Sequence, residues 1–494
     1  MGKIVLRIFI SFLMIVYLTC SGQVIYPEES NLFGKYKNYN VLLVSFDAGR
    51  AKSVSCYGCP RLTTPNLDKL AKDGILFKEA ISPAPWTLPA TMSIFTGLYP
   101  SSHKVLNKYT VTGPDSFVET VLSKDIKTIP ELLKENGYIL AGFTGDAGVG
   151  GAFGYNRGFE VYLDKVKFGG FDQSIPAALE WLKTKNQQPA TKDKPFFMFL
   201  HGYDAHGQYD PPAGYTREFV KSYQGLLQGG KVEQGTFREQ GLDQMAKSAA
   251  GGQPPYITMT PADVDFYTSL YEEKIKDADE RFAQFLDEFT KMGLRENTII
   301  IITADHGEEF YEHGYLDHGP TLYEELVHVP LIMILPDKSS SKAGVGKVIS
   351  EPVSTIDIMP TVMELLGYEN PLKNKPVAVG ISLLPLLRGE KIPTRDIFCE
   401  TDYRLVTFKR CLRTVHDGNK YKFIYTLEND GKELYNLDND PEEKNNLIAA
   451  GDQAPVKFRR IAYELEQKLW KHLKDMETDF QFYRTFSGER IKVY

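Results

Sequence analysis

The sequence is short of cysteine, of long apolar runs and of excess basic charge, and each shortage narrows the reading. After an apolar run from Ile8 to Leu18 no second stretch of spanning length follows, so the mature protein is expected to be soluble or tethered only at its N-terminus. Lysine and arginine number 57 against 64 aspartate and glutamate, a formal net charge of −7. No basic face is evident to neutralise phosphates, which argues against a nucleic-acid partner. Cysteine occurs five times, with one close pair, Cys56-Tyr57-Gly58-Cys59; no second pair or neighbouring histidine completes a zinc site around it. Internal repeats are absent. What remains, 42% hydrophobic and 24% charged residues, is the balance of an ordinary soluble globular protein.

Lys3 and Arg7 precede the Ile8–Leu18 run, and Thr19-Cys20-Ser21-Gly22 follows it, which is the layout of an export signal over residues 1–22. Plain cleavage and lipidation at Cys20 both fit. The protein is therefore expected outside the cytoplasm, as a periplasmic, secreted or envelope protein, with a membrane tether through Cys20 as one of two outcomes. Export permits disulfides, and a hairpin over Glu400–Arg410 would bring Cys399 and Cys411 together as a bridge. A length of 494 residues exceeds one typical domain. The expected division is a catalytic domain over 36–375, with an insertion at about 213–258, and a C-terminal subdomain over 376–494, where the sequence texture changes.

Short apolar runs alternate with helical stretches, the pattern of an α/β protein with a mainly parallel sheet between helices. Val41 to Phe46, Phe196 to Leu200 and Thr298 to Thr303 are the clearest strands, and their unbroken hydrophobicity predicts cover on both faces. They end in Asp47, in His201-Gly202-Tyr203-Asp204-Ala205-His206, and in Asp305-His306. Ligand sites of open parallel sheets lie beyond the carboxyl ends of strands, so three strands deliver carboxylates and imidazoles to one edge. Thr260 and Pro261 open a long helix with an apolar stripe from Val264 to Phe289 and a stop at Gly293. The Gly- and Gln-rich stretch from Gly225 to Pro255 reads as an insertion beside the site with the texture of a mobile lid. Leu412–His416 and Lys420–Tyr425 read as antiparallel strands of the smaller domain, closed by a helix from Val456 to about Met476.

Six of the nine histidines fall between His201 and His328. Histidine beside aspartate at strand ends suits a divalent metal ligated by Asp47, Asp305 and His306. In Trp86-Thr87-Leu88-Pro89, Pro89 fits the first turn of a helix running to Thr96 and stopped by Gly97. Thr87 then stands at a helix N-terminus, where free N–H groups favour an anion. A hydroxyl there and against a metal is an activated nucleophile, whereas from this segment alone a helix cap is the better reading.

Four segments together carry a resemblance: Val41–Gly58 (VLLVSFDAGRAKSVSCYG), Thr63–Leu70 (TTPNLDKL), Trp86–His103 and Thr303–Pro330 (TADHGEEFYEHGYLDHGPTLYEELVHVP). With Phe199–Pro212 and Leu434–Leu447 they resemble the sulfatase family of the alkaline phosphatase superfamily, in the right order over nearly the whole mature chain. The resemblance implies an alkaline-phosphatase-like α/β fold with a small α+β C-terminal domain. It implies one divalent metal on Asp47, Asp305 and His306, calcium by family habit, with manganese or zinc as alternatives. It places Thr87 at the nucleophile position and His206 and His318 where basic residues hold the oxyanion or protonate the leaving group. Arg50 and His201 are implied as substrate-binding neighbours. The expected ligand is a sulfated or phosphorylated small molecule or glycan.

Departures from the family pattern matter as much. Sulfatases carry Cys or Ser in C/S-x-P-x-R and oxidise it to formylglycine; here Thr87-Leu88-Pro89-Ala90-Thr91 lacks both the oxidisable residue and the arginine. Ala48 stands where many relatives have a second Asp, and Thr144-Gly145-Asp146-Ala147-Gly148 stands where Lys-x-His is frequent. A threonine ester cannot collapse to an aldehyde, so water must attack sulfur or phosphorus itself. The expected function is metal-dependent hydrolysis of a sulfate or phosphate ester, with threonine favouring phosphoryl chemistry. A phosphoethanolamine- or phosphoglycerol-type transferase and a catalytically silent glycan-binding relative are the alternatives.

Overall fold

Val41, Leu42, Leu43 and Val44 are bulky, apolar and almost wholly buried, because they lie in the middle of a sheet covered on both faces. The computed structural model describes residues 32–476 except 114–115, 208, 211–214, 216, 249–253, 337–345 and 374–378, together with the backbone of 483–484 and 490–491. The export signal and Cys20 lie outside the described residues. No helix among the described residues is long and apolar enough to cross a membrane.

The strands of the main sheet are β1 Asn40–Phe46, β2 Ile75–Ile81, β3 Ile139–Phe143, β4 Val161–Leu163, β5 Phe196–Gly202, β6 Thr298–Thr303, β7 His328–Ile334, β8 Lys347–Ile349 and β9 Val353–Ser354. Their order is β8-β2-β7-β6-β1-β5-β3-β4, with β9 also paired to β2. Pairs β1–β5, β1–β6, β3–β5 and β3–β4 are parallel, and β7 alone runs against both of its neighbours. The expected mainly parallel sheet is therefore what the chain forms.

Helices α1 Pro65–Asp73, α2 Thr87–Thr96, α3 Phe171–Gln187, α4 Lys231–Ser248 and α5 Pro261–Lys291 surround it. Alternate strand residues feed opposite cores. Val41, Leu43, Phe197, Phe199, Ile299 and Ile301 pack towards Leu88, Met92 and Phe95 of α2. Leu42, Val44, Met198, Leu200, Ile300 and Ile302 pack towards Leu67 of α1, Ala178 and Leu182 of α3, and Phe282, Phe285 and Phe289 of α5. The long helix α5 starts as its sequence requires: Thr260 and Asp263 form a reciprocal capping box with Pro261 at the first position.

The stretch from Gly225 to Pro255, read as an insertion, contains a helix that its sequence did not announce. Much of it is helix α4, because its Glu, Gln, Leu, Met, Ala and Lys residues outweigh Gly235 and Gly241. Gly241 is there for contact: a β-carbon on it would fall 2.4 Å from the Tyr315 ring. The helix is fastened by Gln234, whose amide donates to Asp317 at 3.0 Å and to Tyr209 at 3.2 Å.

Beyond the main sheet, β10 Ile397–Thr401, β11 Lys409–His416, β12 Asn419–Thr426 and β13 Gly431–Asn436 form a four-stranded antiparallel sheet, covered by α6 Val456–Asp475. Ile461, Leu465, Leu469 and Leu473 of α6 are buried against Leu412 and Phe423; each such side chain contributes about 1.5–3 kcal/mol. The opposite face meets Ile81, Leu326 and Val327 of the main body. Cys399 and Cys411 also correct an expectation. They face each other across β10 and β11 but are free thiols. Directly opposed residues of an antiparallel pair hold their β-carbons about 4.5–5.5 Å apart, wider than the ~3.8 Å of a disulfide.

Candidate functional site

The parallel register builds the site. Ser45 of β1 stands beside His201 of β5 on one side and Thr303 of β6 on the other. Asp47 follows Ser45 by two residues and Asp305 follows Thr303 by two, so both carboxylates reach the same edge as His201. All three are fully buried, as is His306.

His201 Nε2 lies 3.3 Å from Asp47 Oδ2 and 3.9 Å from Asp305 Oδ2, in poor hydrogen-bond alignment. His306 Nε2 is 3.9 Å from Asp47 Oδ1 and 3.7 Å from Asp305 Oδ2. The His306 Nδ1 proton is directed at the Gly307 carbonyl at 2.8 Å, which leaves Nε2 with a lone pair facing the carboxylates. Thr87, the first residue of α2, donates its hydroxyl to Asp47 Oδ2 at 3.1 Å and lies 3.3 Å from His306 Nε2. Thr91, one turn on, reaches Asp305 Oδ2 at 3.5 Å, and the Ala48 amide donates to Asp305 Oδ1 at 3.3 Å.

Charges are out of balance here. Burial and the neighbouring Asp305 push Asp47 up to about 7. Burial works against ionised Asp305 as well, but His306 and His201 hold it below the usual carboxylate range. Burial also opposes a proton on His201, yet Asp305 and Asp47 pull its pKa up to about 9. Asp47 Oδ1 and both ring nitrogens of His201 are buried without a hydrogen-bond partner. Two carboxylates and two imidazoles with orphaned acceptors fit a divalent cation, and Asp47, His201 and Asp305 are close enough together to ligate one.

A second group stands beside the first. His318 Nδ1 lies 2.9 Å from Glu308 Oε1 and 3.0 Å from Asp317 Oδ1. Burial would discharge this ring, but the two carboxylates lift it well above the ordinary imidazole value. Its ring centroid is 4.4 Å from that of His306 and 4.8 Å from that of His206. His206 has the opposite fate: burial and then the charge of His318 push it well below its ordinary value.

The structure thus brings together Asp47, Thr87, His201, His206, Asp305, His306 and His318. Arg50 is not among them. Its guanidinium pairs with Glu312 at 2.7 Å, donates to Ser53 at 2.8 Å and lies 4.7 Å over the Phe310 ring. His313 is likewise engaged elsewhere, 2.6 Å from Glu325 and stacked on Tyr323. Glu308 and Asp317, which hold His318, are not singled out by the sequence reading. Their signal is the acid next to an imidazole in His306-Gly307-Glu308 and Asp317-His318.

Comparison with known proteins identifies the family and the fold. The family model described as Sulfatase matches residues 39–368, and that described as N-sulphoglucosamine sulphohydrolase, C-terminal, matches residues 311–475. The chain is 24% identical to a Delta 4,5-hexuronate-2-O-sulfatase of Bacteroides thetaiotaomicron over 83% of this chain and 84% of that one. A solved structure holding its substrate, D-glucosamine-2-N,6-O-disulfate, superposes with a TM-score of 0.66 at 21% identity, covering 89% of this chain and 99% of the other. A phosphonate monoester hydrolase of Agrobacterium radiobacter superposes with a TM-score of 0.66 at 19% identity, over 91% and 99%. With two thirds of its length matched to one family and its fold shared with both sulfate- and phosphonate-cleaving enzymes, the chain belongs to the sulfatase family of ester hydrolases.

Proposed function

We propose that this chain hydrolyses sulfate or phosphate esters of glycans or small molecules, with the unmodified Thr87 hydroxyl as nucleophile. Asp47, Asp305 and His306 would hold one divalent cation, with His201 completing the set. The observation that carries the reading is the Thr87 hydroxyl, within 3.1 Å of Asp47 and 3.3 Å of His306 at the start of α2. A cation bound there would supply Lewis acidity and offset the two carboxylates. Imidazole nitrogens in the set favour manganese or zinc over calcium.

In this reading Thr87 Oγ attacks sulfur or phosphorus, its proton leaving towards Asp47. The cationic His318 faces the equatorial oxygens and gives a proton to the departing alcohol, while neutral His206 packs beside it. Water then cleaves the threonine ester at sulfur or phosphorus, which releases the inorganic anion and restores the hydroxyl. Threonine offers no aldehyde hydrate to expel sulfate, so phosphate esters suit the site better. Glycan ligands are supported by relatives whose names specify sulfated saccharides. Export through residues 1–22, with Cys20 as a lipid anchor in one outcome, and the division into 36–375 and 376–494 belong to the same proposal.

The test is turnover of matched aryl sulfate, aryl phosphate and aryl phosphodiester by wild type and Thr87→Ala with calcium, manganese or zinc. Turnover of a phosphorus ester that vanishes in Thr87→Ala supports the reading. Turnover that persists in Thr87→Ala overturns threonine chemistry, and sulfate release dependent on Thr87 overturns the preference for phosphorus.

A further inference from the structure

The loop that carries His318 is fixed on both sides of that residue. Asp317, just before it, closes the short antiparallel pair of Glu309–Phe310 with Leu316–Asp317. Its φ is 95°, a left-handed value uncommon for a residue other than glycine. Gly319, just after His318, has φ of 106° and lies against Tyr403, where a β-carbon would fall 2.4 Å from the ring. A non-glycine residue keeps such a backbone only where its surroundings hold it. The groups that hold Asp317 are on α4, the helix of the insertion.

The Asp317 carboxylate divides its oxygens between the histidine and the helix. Oδ1 accepts from the His318 amide at 2.8 Å and lies 3.0 Å from His318 Nδ1. Oδ2 faces α4: it accepts from the Gln234 side-chain amide at 3.0 Å and lies 3.6 Å from Arg238 Nη1. Both Gln234 and Asp317 are buried. The Gln234 amide also touches the other histidine segment. Gly207, next to His206, has no room for a side chain, because a β-carbon would fall 2.6 Å from Gln234 Oε1. Gln234 and Arg238 are four residues apart and so share one face of the helix. On that face Gly241 meets the Tyr315 ring and Leu242 enters the core, which seats α4 against this loop.

We propose that Gln234 and Arg238 are positioning residues for His318: they clamp Asp317 Oδ2, and Asp317 in turn keeps the imidazole turned with Nε2 towards the ester. This rests on the reading of His318 as proton donor to the departing alcohol. With Nδ1 committed to Asp317 and to Glu308 at 2.9 Å, Nε2 is the nitrogen left to act. It gives its proton to the leaving oxygen as the bond from that oxygen to sulfur or phosphorus breaks, and the N–H electron pair stays on the ring. The donor must be within hydrogen-bond reach at the moment of cleavage, so a small rotation of the ring costs rate rather than binding. Without the clamp the Asp317 backbone is free to leave its left-handed conformation, and His318 moves with it. The insertion thereby acts on the reaction although neither clamp residue is a reacting group.

The experiment uses full-length Gln234→Leu and Arg238→Met, the second at a half-buried position that a methionine side chain can occupy. Hydrolysis of a phenyl ester, phosphate or sulfate according to the wild type, is compared with that of its 4-nitrophenyl counterpart, whose leaving group departs without a proton. Each variant is expected to lose about tenfold or more in kcat on the phenyl ester but less than about threefold on the nitrophenyl ester, with KM little changed. In a His318→Gln background the same substitutions are expected to add nothing, because residues that act through one group are not additive. Arg238→Lys, which keeps the cation, should retain most of the phenyl ester rate. Equal losses on both esters, a rise in KM alone, or an undiminished loss in the His318→Gln background overturns the clamp. The crystal structure of Gln234→Leu/Arg238→Met gives a readout independent of turnover. Asp317 is expected to have left positive φ, with the His318 ring displaced, and an unmoved loop overturns the clamp. Wild type that cleaves neither ester, or a His318→Gln variant that slows both alike, overturns the proposed function instead and leaves the crystal structure to decide the clamp.

Discussion

Gly148 lies directly against Thr87: a β-carbon on Gly148 would fall 2.6 Å from Thr87 Cβ and 2.9 Å from its methyl group. The glycine also donates its amide to the Tyr203 hydroxyl at 3.0 Å, which fixes it in place. No real β-carbon tolerates such a distance, so Gly148→Ala must move the Thr87 side chain or the start of α2. A displacement of about 1 Å at a reacting atom costs on the order of a hundredfold in rate. Gly148→Ala is expected to lose at least tenfold in kcat with little change in melting temperature. Adding Thr87→Ser, which removes the methyl contact, should recover part of that loss. Full activity in Gly148→Ala would mean that Thr87 is not the reacting group.

Asp47 and Asp305 make a second prediction through stability. Both are fully buried, and Asp47 Oδ1 has no hydrogen-bond partner. A cation that binds only the folded chain stabilises it by about 2.7 kcal/mol at a hundred times its dissociation constant. Removing divalent ions with a chelator should therefore lower the melting temperature by several degrees and abolish turnover. Manganese or zinc should restore both more fully than calcium. Asp305→Asn should melt at the same temperature with and without metal. A melting temperature indifferent to chelation in the wild type would contradict a cation at this site.

Much of this arrangement was legible in the sequence, for a physical reason. Parallel strands buried on both faces are unbroken apolar runs, so β1, β5 and β6 stand out, and the Asp and His residues that follow must gather at one edge. The edge that His201 joins was legible, but not its position between the two carboxylates. His201 sits between them because Ser45 pairs with it in register, and register belongs to the sheet rather than to any one segment. The partner of Arg50 was not legible either: Arg50 follows β1 closely, but Glu312 is 262 residues away. The helix within the insertion was hidden by its glycines, one of which accommodates the ring of Tyr315.

The segment Leu434–Leu447 has a structural purpose that suggests a third prediction. Its Glu443 lies 2.9 Å from the ammonium of Lys422, a wholly buried lysine that is also 3.1 Å from Glu324 of the main body. Burial opposes the Lys422 charge, but Glu443 and Glu324 raise its pKa far above the ordinary value. The pair ties the C-terminal sheet to the catalytic body. Lys422→Met leaves Glu443 without a cation and Glu324 with Arg413 alone, 3.5 Å away, and is expected to cost about 3–5 kcal/mol. Lys422→Met/Glu443→Gln should cost less than Lys422→Met alone, because one of those carboxylates is gone. Urea unfolding measures both, and a mild loss in the single variant would show that water reaches the pair.

His472 allows a test of acid stability away from the candidate metal site. Its ring is stacked on Phe398 with centroids 3.5 Å apart, its Nε2 has no hydrogen-bond partner, and burial lowers its pKa to about 3. In the unfolded chain the same group titrates near 6.5. The unfolded state therefore binds the extra proton between these values, so stability is fully present above pH 6.5 and is lost as pH falls towards 3. The loss is about 1.4 kcal/mol per pH unit from this one histidine. His472→Phe keeps a ring against Phe398 and removes both the titration and the unpaired nitrogen. Urea unfolding at pH 7.5 should show the variant at least as stable as wild type. By pH 5 the gap should widen by about 2 kcal/mol in the variant's favour, since the wild type alone must keep a histidine uncharged. Parallel stability curves between pH 7.5 and 5 would mean that His472 accepts its proton in the folded state, and that α6 moves to let water reach it.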